Sequence, residues 1–296
     1  MGLKETVEVE QSPSETAPKL FKGVGGDFEH KGEENLHIEE IKENGFTLLH
    51  NQLQERELQH IREKLDTIYE KQIEEIGEEQ KLKEIYDWGS VKQLLVHDEI
   101  FLKLIYREEI LSIVRHFLGD YFILHLQNGV INRSNEEHPA FLWHRDFPYQ
   151  NFTSSKPLGI NVLHCIDDFT EESGGTFVLP GSHKSDLLPS LPFVKKFEKQ
   201  VHAKAGSMVV FDPMLFHRAG FNKSPGSRRA VASIFSLPFI KQQISFPRAL
   251  NGKYKDDPVL RKLLGYDCET ADSVLDWRKE RLKVRAGTGY TAARKI

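Results

Sequence analysis

From Asp120 onward the chain is a series of short β-rich segments separated by turn residues, and this pattern restricts the fold more than any other feature. The apolar segments cover 121–133, 158–166, 176–179, 208–211 and 230–237. Glycine, proline, serine and acidic residues are clustered between them. Many short strands with turns between them predict a β-sandwich or a β-barrel.

The residues before Asp120 predict helices that cover this β-structure. A short strand is predicted at 45–49, and apolar residues then recur at helical spacing over 58–68, which indicates an amphipathic helix. A second helix is predicted over 99–118, and two short helices over 257–265 and 270–285. The predicted fold class is therefore mainly β with flanking helices.

One domain accounts for most of the chain. Residues 1–37 are polar and acidic and are predicted to be disordered. Residues 38–290 are predicted to form a single domain, with the barrel core at about 121–240 and C-terminal helices at about 257–285.

Composition excludes several classes of partner. The net charge of −4 argues against a nucleic-acid-binding surface. No apolar run approaches the roughly 18 residues of a membrane helix, and the first residues lack the apolar core of a signal peptide. Two cysteines make a disulfide framework unexpected and suit a reducing cytosol, so a cytoplasmic protein is predicted.

The segment LWHRDFPYQ contains a histidine and an aspartate separated by one residue. If it is extended, His144 and Asp146 face the same side and could both bind a metal. The alternative is a pair of polar residues on a surface strand. His217, which follows the strand 208–211 and a turn, is the candidate for a third ligand. Two histidines and one carboxylate are typical of non-haem Fe(II) oxygenases.

An arginine that could bind a carboxylate lies eleven residues after His217. Arg228 begins the next β-rich segment, where a guanidinium can reach into a barrel and bind a carboxylate with two hydrogen bonds. The competitor is Arg229, and strand alternation allows only one of the two to point inward.

Three ordered motifs resemble the phytanoyl-CoA dioxygenase family over roughly residues 40–240. They are His144-x-Asp146, GGTFVLPGSHK at 174–184 and HRAGFNKSPGSRRA at 217–230. The resemblance implies a double-stranded β-helix, a cupin-like jelly-roll barrel with an N-terminal helical cover. It also implies an oxygenase that uses Fe(II), 2-oxoglutarate and O₂.

The resemblance implies a role for each matching residue. It assigns the iron to His144, Asp146 and His217, and the distal carboxylate of 2-oxoglutarate to Arg228. Three further candidates for contacts with 2-oxoglutarate are Lys92, Gln127 and Asn161.

The side chains expected around the substrate are polar. They are Arg145, Tyr149, Gln150 and Arg218, which would suit a small polar or acidic metabolite. Surface ion pairs are the alternative role for the two arginines.

The predicted reaction is hydroxylation of an unactivated C–H bond, with release of succinate and CO₂. Halogenating relatives carry a small residue where this chain has Asp146, which favours hydroxylation over halogenation. Desaturation, cyclisation and the disfavoured halogenation stay open, as does a catalytically silent barrel that binds a metal or a metabolite.

Overall fold

The computed structural model describes residues 36–50 and 52–286. The predicted disordered segment 1–37 lies outside the described residues, except for Leu36 and His37, which begin the first helix. No helix among the described residues is long and apolar enough to cross a bilayer.

Helices and strands alternate in an order close to the predicted one. The helices are α1 (Leu36–Asn44), α2 (Glu55–Ile76), α3 (Glu79–Glu84), α4 (Leu94–His97), α5 (Leu102–Ile105), α6 (Glu108–Leu118), α7 (Leu191–Phe197), α8 (Phe246–Ala249), α9 (Pro258–Leu263) and α10 (Val274–Ala286). The strands are β1 (Phe46–Leu49), β2 (Ser90–Val91), β3 (Ile123–Asn132), β4 (Gly159–Cys165), β5 (Phe177–Val178), β6 (Lys199–Gln200), β7 (Met208–Phe211), β8 (His217–Arg218) and β9 (Arg228–Ser236).

The strands form two antiparallel sheets. The larger has the order β1-β7-β4-β9-β3-β2, and the smaller has the order β6-β5-β8. Neighbours in the larger sheet are distant in sequence, as β4 pairs with both β7 and β9. The smaller sheet packs on one face of the larger one, because Val178 of β5 shares an apolar cluster with Leu163 and Val209.

Helices cover the opposite, outer face of the larger sheet. Ile160 and Val162 of β4 pack with apolar residues of α1 and α6. Val231 of β9 packs with the buried side of α2. Neighbouring residues of β4 therefore pack in two different apolar clusters. Val162 faces the helices, and Leu163 faces the interior between the sheets.

The helix predicted over 99–118 is interrupted. Glu99–Phe101 is a 3₁₀ turn, α5 follows it, and α6 begins after an extended residue, Arg107. The periodicity of the apolar residues continues through the break and gives no sign of it. Glu108 and Glu109 do mark a new start, because acidic residues are favoured in the first turn of a helix.

Candidate metal centre

The three predicted metal ligands come together between the two sheets. The backbones of His144 and His217 form an antiparallel bridge, with N–H···O distances of 3.0 and 3.1 Å. The backbone N–H of Asp146 donates to the carbonyl of Pro213 at 3.0 Å. One candidate ligand atom from each of His144, Asp146 and His217 lies within 4.8 Å of the others. These backbone bonds fix the three side chains as a group.

Both imidazole rings are held in the tautomer that leaves Nε2 free to bind a metal. The Nδ1 atom of His144 lies 2.8 Å from the carbonyl oxygen of Leu142, and Nδ1 of His217 lies 2.9 Å from that of Leu215. A carbonyl oxygen only accepts, so each Nδ1 carries the hydrogen and donates it. Each Nε2 therefore keeps its lone pair, as in metal-binding histidines whose other nitrogen is fixed by a second group.

The carboxylate of the centre is also oriented. The side-chain amide of Asn161, on β4, donates to Oδ2 of Asp146 at 2.7 Å. The other oxygen, Oδ1, lies 3.6 Å from Nε2 of His217. Burial, with a smaller effect of His217, lowers the pKa of His144 to about 4. The ring is therefore neutral at pH 7, and its lone pair is available to a cation.

Arg228 is a buried arginine without an anionic partner in the described part of the chain. Its side chain begins β9, and the residue is only 2% exposed. One terminal nitrogen donates to the carbonyl of Gly174 at 3.2 Å, the guanidinium lies 4.5 Å from the centre of the Phe169 ring, and Nε has no hydrogen-bond partner. Burial lowers the pKa of Arg228 to about 10, so it remains charged at pH 7. A buried charge of this kind is a site for a carboxylate.

Arg229 points to the other side of β9. Its guanidinium donates to both carboxylate oxygens of Asp66, at 2.8 and 2.7 Å, and lies 3.2 Å from Asp167. Neighbouring residues of a strand point to opposite faces, so Arg229 joins an ion-pair network on the outer face and Arg228 is buried in the interior.

Comparison with known proteins identifies the family. The model of the phytanoyl-CoA dioxygenase (PhyH) family matches residues 41–230. The chain belongs to the phytanoyl-CoA dioxygenase family. It is therefore an oxidoreductase of the dioxygenase class, as the sequence motifs predicted.

Two curated relatives cover most of the chain. The uncharacterized protein Rv1501 of Mycobacterium tuberculosis is 33% identical, over 74% of this chain and 83% of its own length. The peroxisomal phytanoyl-CoA dioxygenase of Bos taurus is 26% identical, over 71% of each chain.

Solved structures confirm the predicted cupin-like fold. EctD from S. alaskensis, crystallised with 2-oxoglutarate and 5-hydroxyectoine, is 15% identical and superposes with a TM-score of 0.56 over 74% of this chain and 82% of EctD. HygX from Streptomyces hygroscopicus, crystallised with nickel and 2-oxoglutarate, gives a TM-score of 0.51 at 13% identity, over 72% of this chain and 91% of HygX.

Three further residues were predicted to contact 2-oxoglutarate. One of them, Asn161, reaches the metal centre through its hydrogen bond to Asp146. For Lys92 and Gln127 the described residues show no such contact. The structure places Gln127 on the outer face of the sheet, where its amide donates to the carbonyl of Phe101 at 2.9 Å. That placement corrects the sequence prediction. Lys92 forms an ion pair with Asp87 at 2.9 Å.

The two arginines expected around the substrate, Arg145 and Arg218, instead form contacts within the protein. Arg145 donates to the backbone carbonyls of Ser182, Ser185, Asp186 and Met214 and packs on a phenylalanine ring. Arg145 thus fixes the loop after β5 rather than facing the metal ligands.

Arg218 pairs with Glu198 at 3.0 Å and lies against three aromatic rings, those of Phe141, Trp143 and Phe177. The alternative of an ion-pair role is the one that fits Arg218.

The remaining two rim candidates differ in exposure. Tyr149 is 96% exposed and has no contact with the centre among those the structure describes. Gln150 is buried, donates to the carbonyl of Phe152 at 3.0 Å, and lines a cavity of about 380 Å³ together with Met214. Sequence reasoning missed a further residue, His125, whose ring packs against Phe147, the residue after Asp146.

Proposed function

We propose that the protein is an Fe(II)- and 2-oxoglutarate-dependent oxygenase that hydroxylates an unactivated C–H bond of a small molecule and releases succinate and CO₂. The observation that carries this proposal is the combination, inside one barrel, of the metal-binding triad and the buried Arg228 guanidinium, which has no anionic partner among the described residues. The co-substrates crystallised with EctD and HygX support the same assignment.

Each side chain of the centre has a defined task in this proposal. Fe(II) would be held by Nε2 of His144, Nε2 of His217 and the Asp146 carboxylate, and together with 2-oxoglutarate it would supply the activation of O₂. Asn161 keeps the carboxylate in position through its amide hydrogen bond. Arg228 binds the distal carboxylate of 2-oxoglutarate, and the apolar interior keeps water away from the reacting atoms.

The proposal also includes a cellular location and a domain organisation. A cytoplasmic location is supported by the two cysteines, which are both free thiols. A single oxygenase domain over 38–290 is supported by the shared apolar core, which contains both Ile38 and Leu264. The polar substrate expected from Arg145 and Arg218 loses its support, since both guanidinium groups are engaged in contacts within the protein.

The test is an incubation of the purified protein with Fe(II), 2-oxoglutarate, air and a small-metabolite extract. We expect mass spectrometry to show succinate and a species that has gained one oxygen atom. Asp146→Ala should give neither product, whereas Asp256→Ala, which removes an exposed carboxylate, should behave as the wild type. Equal succinate from the wild type and Asp146→Ala would contradict the proposal. A product that has lost two hydrogens would keep the centre and replace hydroxylation by desaturation.

A further inference from the structure

A β-bulge in β3 contains a histidine, His125, whose ring contacts the residue that follows Asp146. In the pairing of β3 with β9, Leu124 lies opposite Phe235 and Leu126 lies opposite Ile234, so His125 is an extra residue. Leu124 packs in the outer cluster under the helices, whereas Leu126 packs in the inner cluster with Ile234. The extra residue breaks the alternation and allows His125 and Leu126 both to face the interior.

The ring of His125 lies beside the metal ligands. Its centroid is 5.5 Å from that of Phe147, in an edge-to-face arrangement, and Phe147 follows Asp146 directly. Burial lowers the pKa of His125, and the Asp146 carboxylate opposes this shift. A neutral imidazole offers one hydrogen-bond donor and one acceptor.

Neither ring nitrogen of His125 has a hydrogen-bond partner among the described residues. The residue is 9% exposed, and its Nδ1 atom is fully buried. Buried polar atoms in folded proteins nearly always have a partner, and an unpartnered one calls for an explanation such as a catalytic role or a bound water or ion. An unpartnered imidazole beside a metal centre is thus suited to binding a molecule that reacts there.

Phe147, which the ring of His125 contacts, belongs to an apolar cluster. The inner cluster consists of Phe147, Met214 and Ile234, with Leu126, Leu158 and Ile240 packed against it. Met214 also lines a cavity of about 380 Å³, whose other lining residues are mostly polar and include Gln150, Lys184 and Asp212.

We propose that His125 is a substrate-positioning residue: it hydrogen-bonds one oxygen atom of a substrate whose remaining surface is apolar. The inference rests on the proposed oxygenase function and names the substrate class for it. By fixing that oxygen in an apolar cluster, His125 determines which C–H bond of the substrate faces the metal.

Binding of matched probes tests this role without turnover. Zn(II), which does not change oxidation state, and 2-oxoglutarate are bound to the full chain, and dissociation constants are measured by NMR for 1-indanol, 1-indanone and indane. Indane has the same rings but no oxygen. We expect the wild type to bind the two oxygenated probes about tenfold more tightly than indane, as one additional hydrogen bond predicts.

The variants separate the hydrogen bond from the shape of the site. His125→Phe keeps a ring against Phe147 and should lose the preference while binding indane unchanged, which also shows that its pocket is folded. His125→Gln should restore part of the preference. His116→Phe replaces an exposed histidine that also contacts a phenylalanine edge-on, and it should behave as the wild type.

An unchanged preference in His125→Phe, or no binding of any probe to the wild type, would overturn the inference. The binding assay with Zn(II) involves no oxidation, so it tests the role of His125 separately from the proposed function. If succinate forms in the extract assay but His125→Phe keeps the binding preference, the role of His125 is wrong and the oxygenase function is retained. A preference that depends on His125, without succinate formation in the extract assay, would leave only the binding site.

Discussion

Arg228 and Arg229 are adjacent and chemically identical, yet the structure gives them opposite surroundings. Arg228→Gln removes the only positive charge we assign to the distal carboxylate of 2-oxoglutarate, so the KM for 2-oxoglutarate should rise at least about 30-fold. Arg229→Gln instead breaks the pairs with Asp66 and Asp167, and it should lower the free energy of unfolding by about 1–2 kcal/mol with KM unchanged. Steady-state kinetics and urea unfolding of both variants measure the difference. Equal changes in KM would show that Arg228 does not bind the co-substrate.

Asn161 and Gln127 form a second matched pair of residues. Asn161→Leu leaves the Asp146 carboxylate without its donor, so the affinity for Fe(II) should fall by about 10- to 100-fold. Gln127→Leu leaves the carbonyl of Phe101 without a donor, so it should cost about 1–3 kcal/mol of stability and leave the affinity for Fe(II) intact. Anaerobic Fe(II) titration and urea unfolding give both values. If Asn161→Leu binds Fe(II) normally, Asn161 does not orient the carboxylate.

At the scale of single elements, the turn before β5 depends on a glycine that an alanine cannot replace. Gly174 has φ of +72°, and a Cβ there would lie 2.4 Å from the carbonyl oxygen of Gly220. The carbonyl of Gly174 also accepts from Arg228. Gly174→Ala should therefore lower the free energy of unfolding by about 2–4 kcal/mol and raise the KM for 2-oxoglutarate. Gly226→Ala is the control, since a Cβ at Gly226 meets nothing within 4 Å, and a loss of stability as large as that of Gly174→Ala would refute the steric argument.

The β-bulge in β3 explains what sequence patterns could and could not predict about the site. Counting alternate residues along a regular strand puts His125 and Gln127 on the same face. The bulge between Leu124 and Leu126 shifts this alternation by one residue, so Gln127 faces the helices and His125 stays inside. Nothing in the sequence marks a bulge, whereas a short spacing such as that of His144 and Asp146 contains no irregularity to miscount. The inward placement of the triad, Arg228 and Asn161 was therefore predictable, whereas the facing of the residues along the bulged strand β3 was not.

At the scale of the whole molecule, the main strands were predictable, whereas α1, α7 and the two-residue strands β2, β6 and β8 were not. The partners of each strand were not predictable either. The apolar runs from 121 to 237 contain β3, β4, β5, β7 and β9. Pairing of β1 with β7 joins residues more than 150 positions apart, which periodicity along the chain does not encode. The jelly-roll prediction came from the family resemblance, which carries this long-range information, and the comparisons confirmed it.

Several histidines are buried in the folded protein, and their burial makes the stability of the whole molecule depend on pH. Burial lowers the pKa of His138 and of His164 to about 4, whereas an exposed histidine titrates near 6.5. Between pH 4 and pH 6.5 the unfolded chain therefore binds protons that the folded chain does not, so stability is lost as the pH falls. His144 acts in the same direction in metal-free protein. Burial raises the pKa of Asp212 to about 6, which opposes the histidines because the folded chain holds that proton.

The histidines outnumber the single carboxyl group, so the net effect has a definite sign. Urea unfolding of metal-free protein should give a free energy about 2–4 kcal/mol lower at pH 5 than at pH 7. His164→Gln removes one of the titrating groups and should reduce this difference by about 1–2 kcal/mol, whatever its effect on stability at pH 7. His202→Gln changes an exposed histidine and should leave the difference as it is. Equal stability of the wild type at the two pH values would mean that the buried histidines take up protons without unfolding, and that the helical cover opens around them.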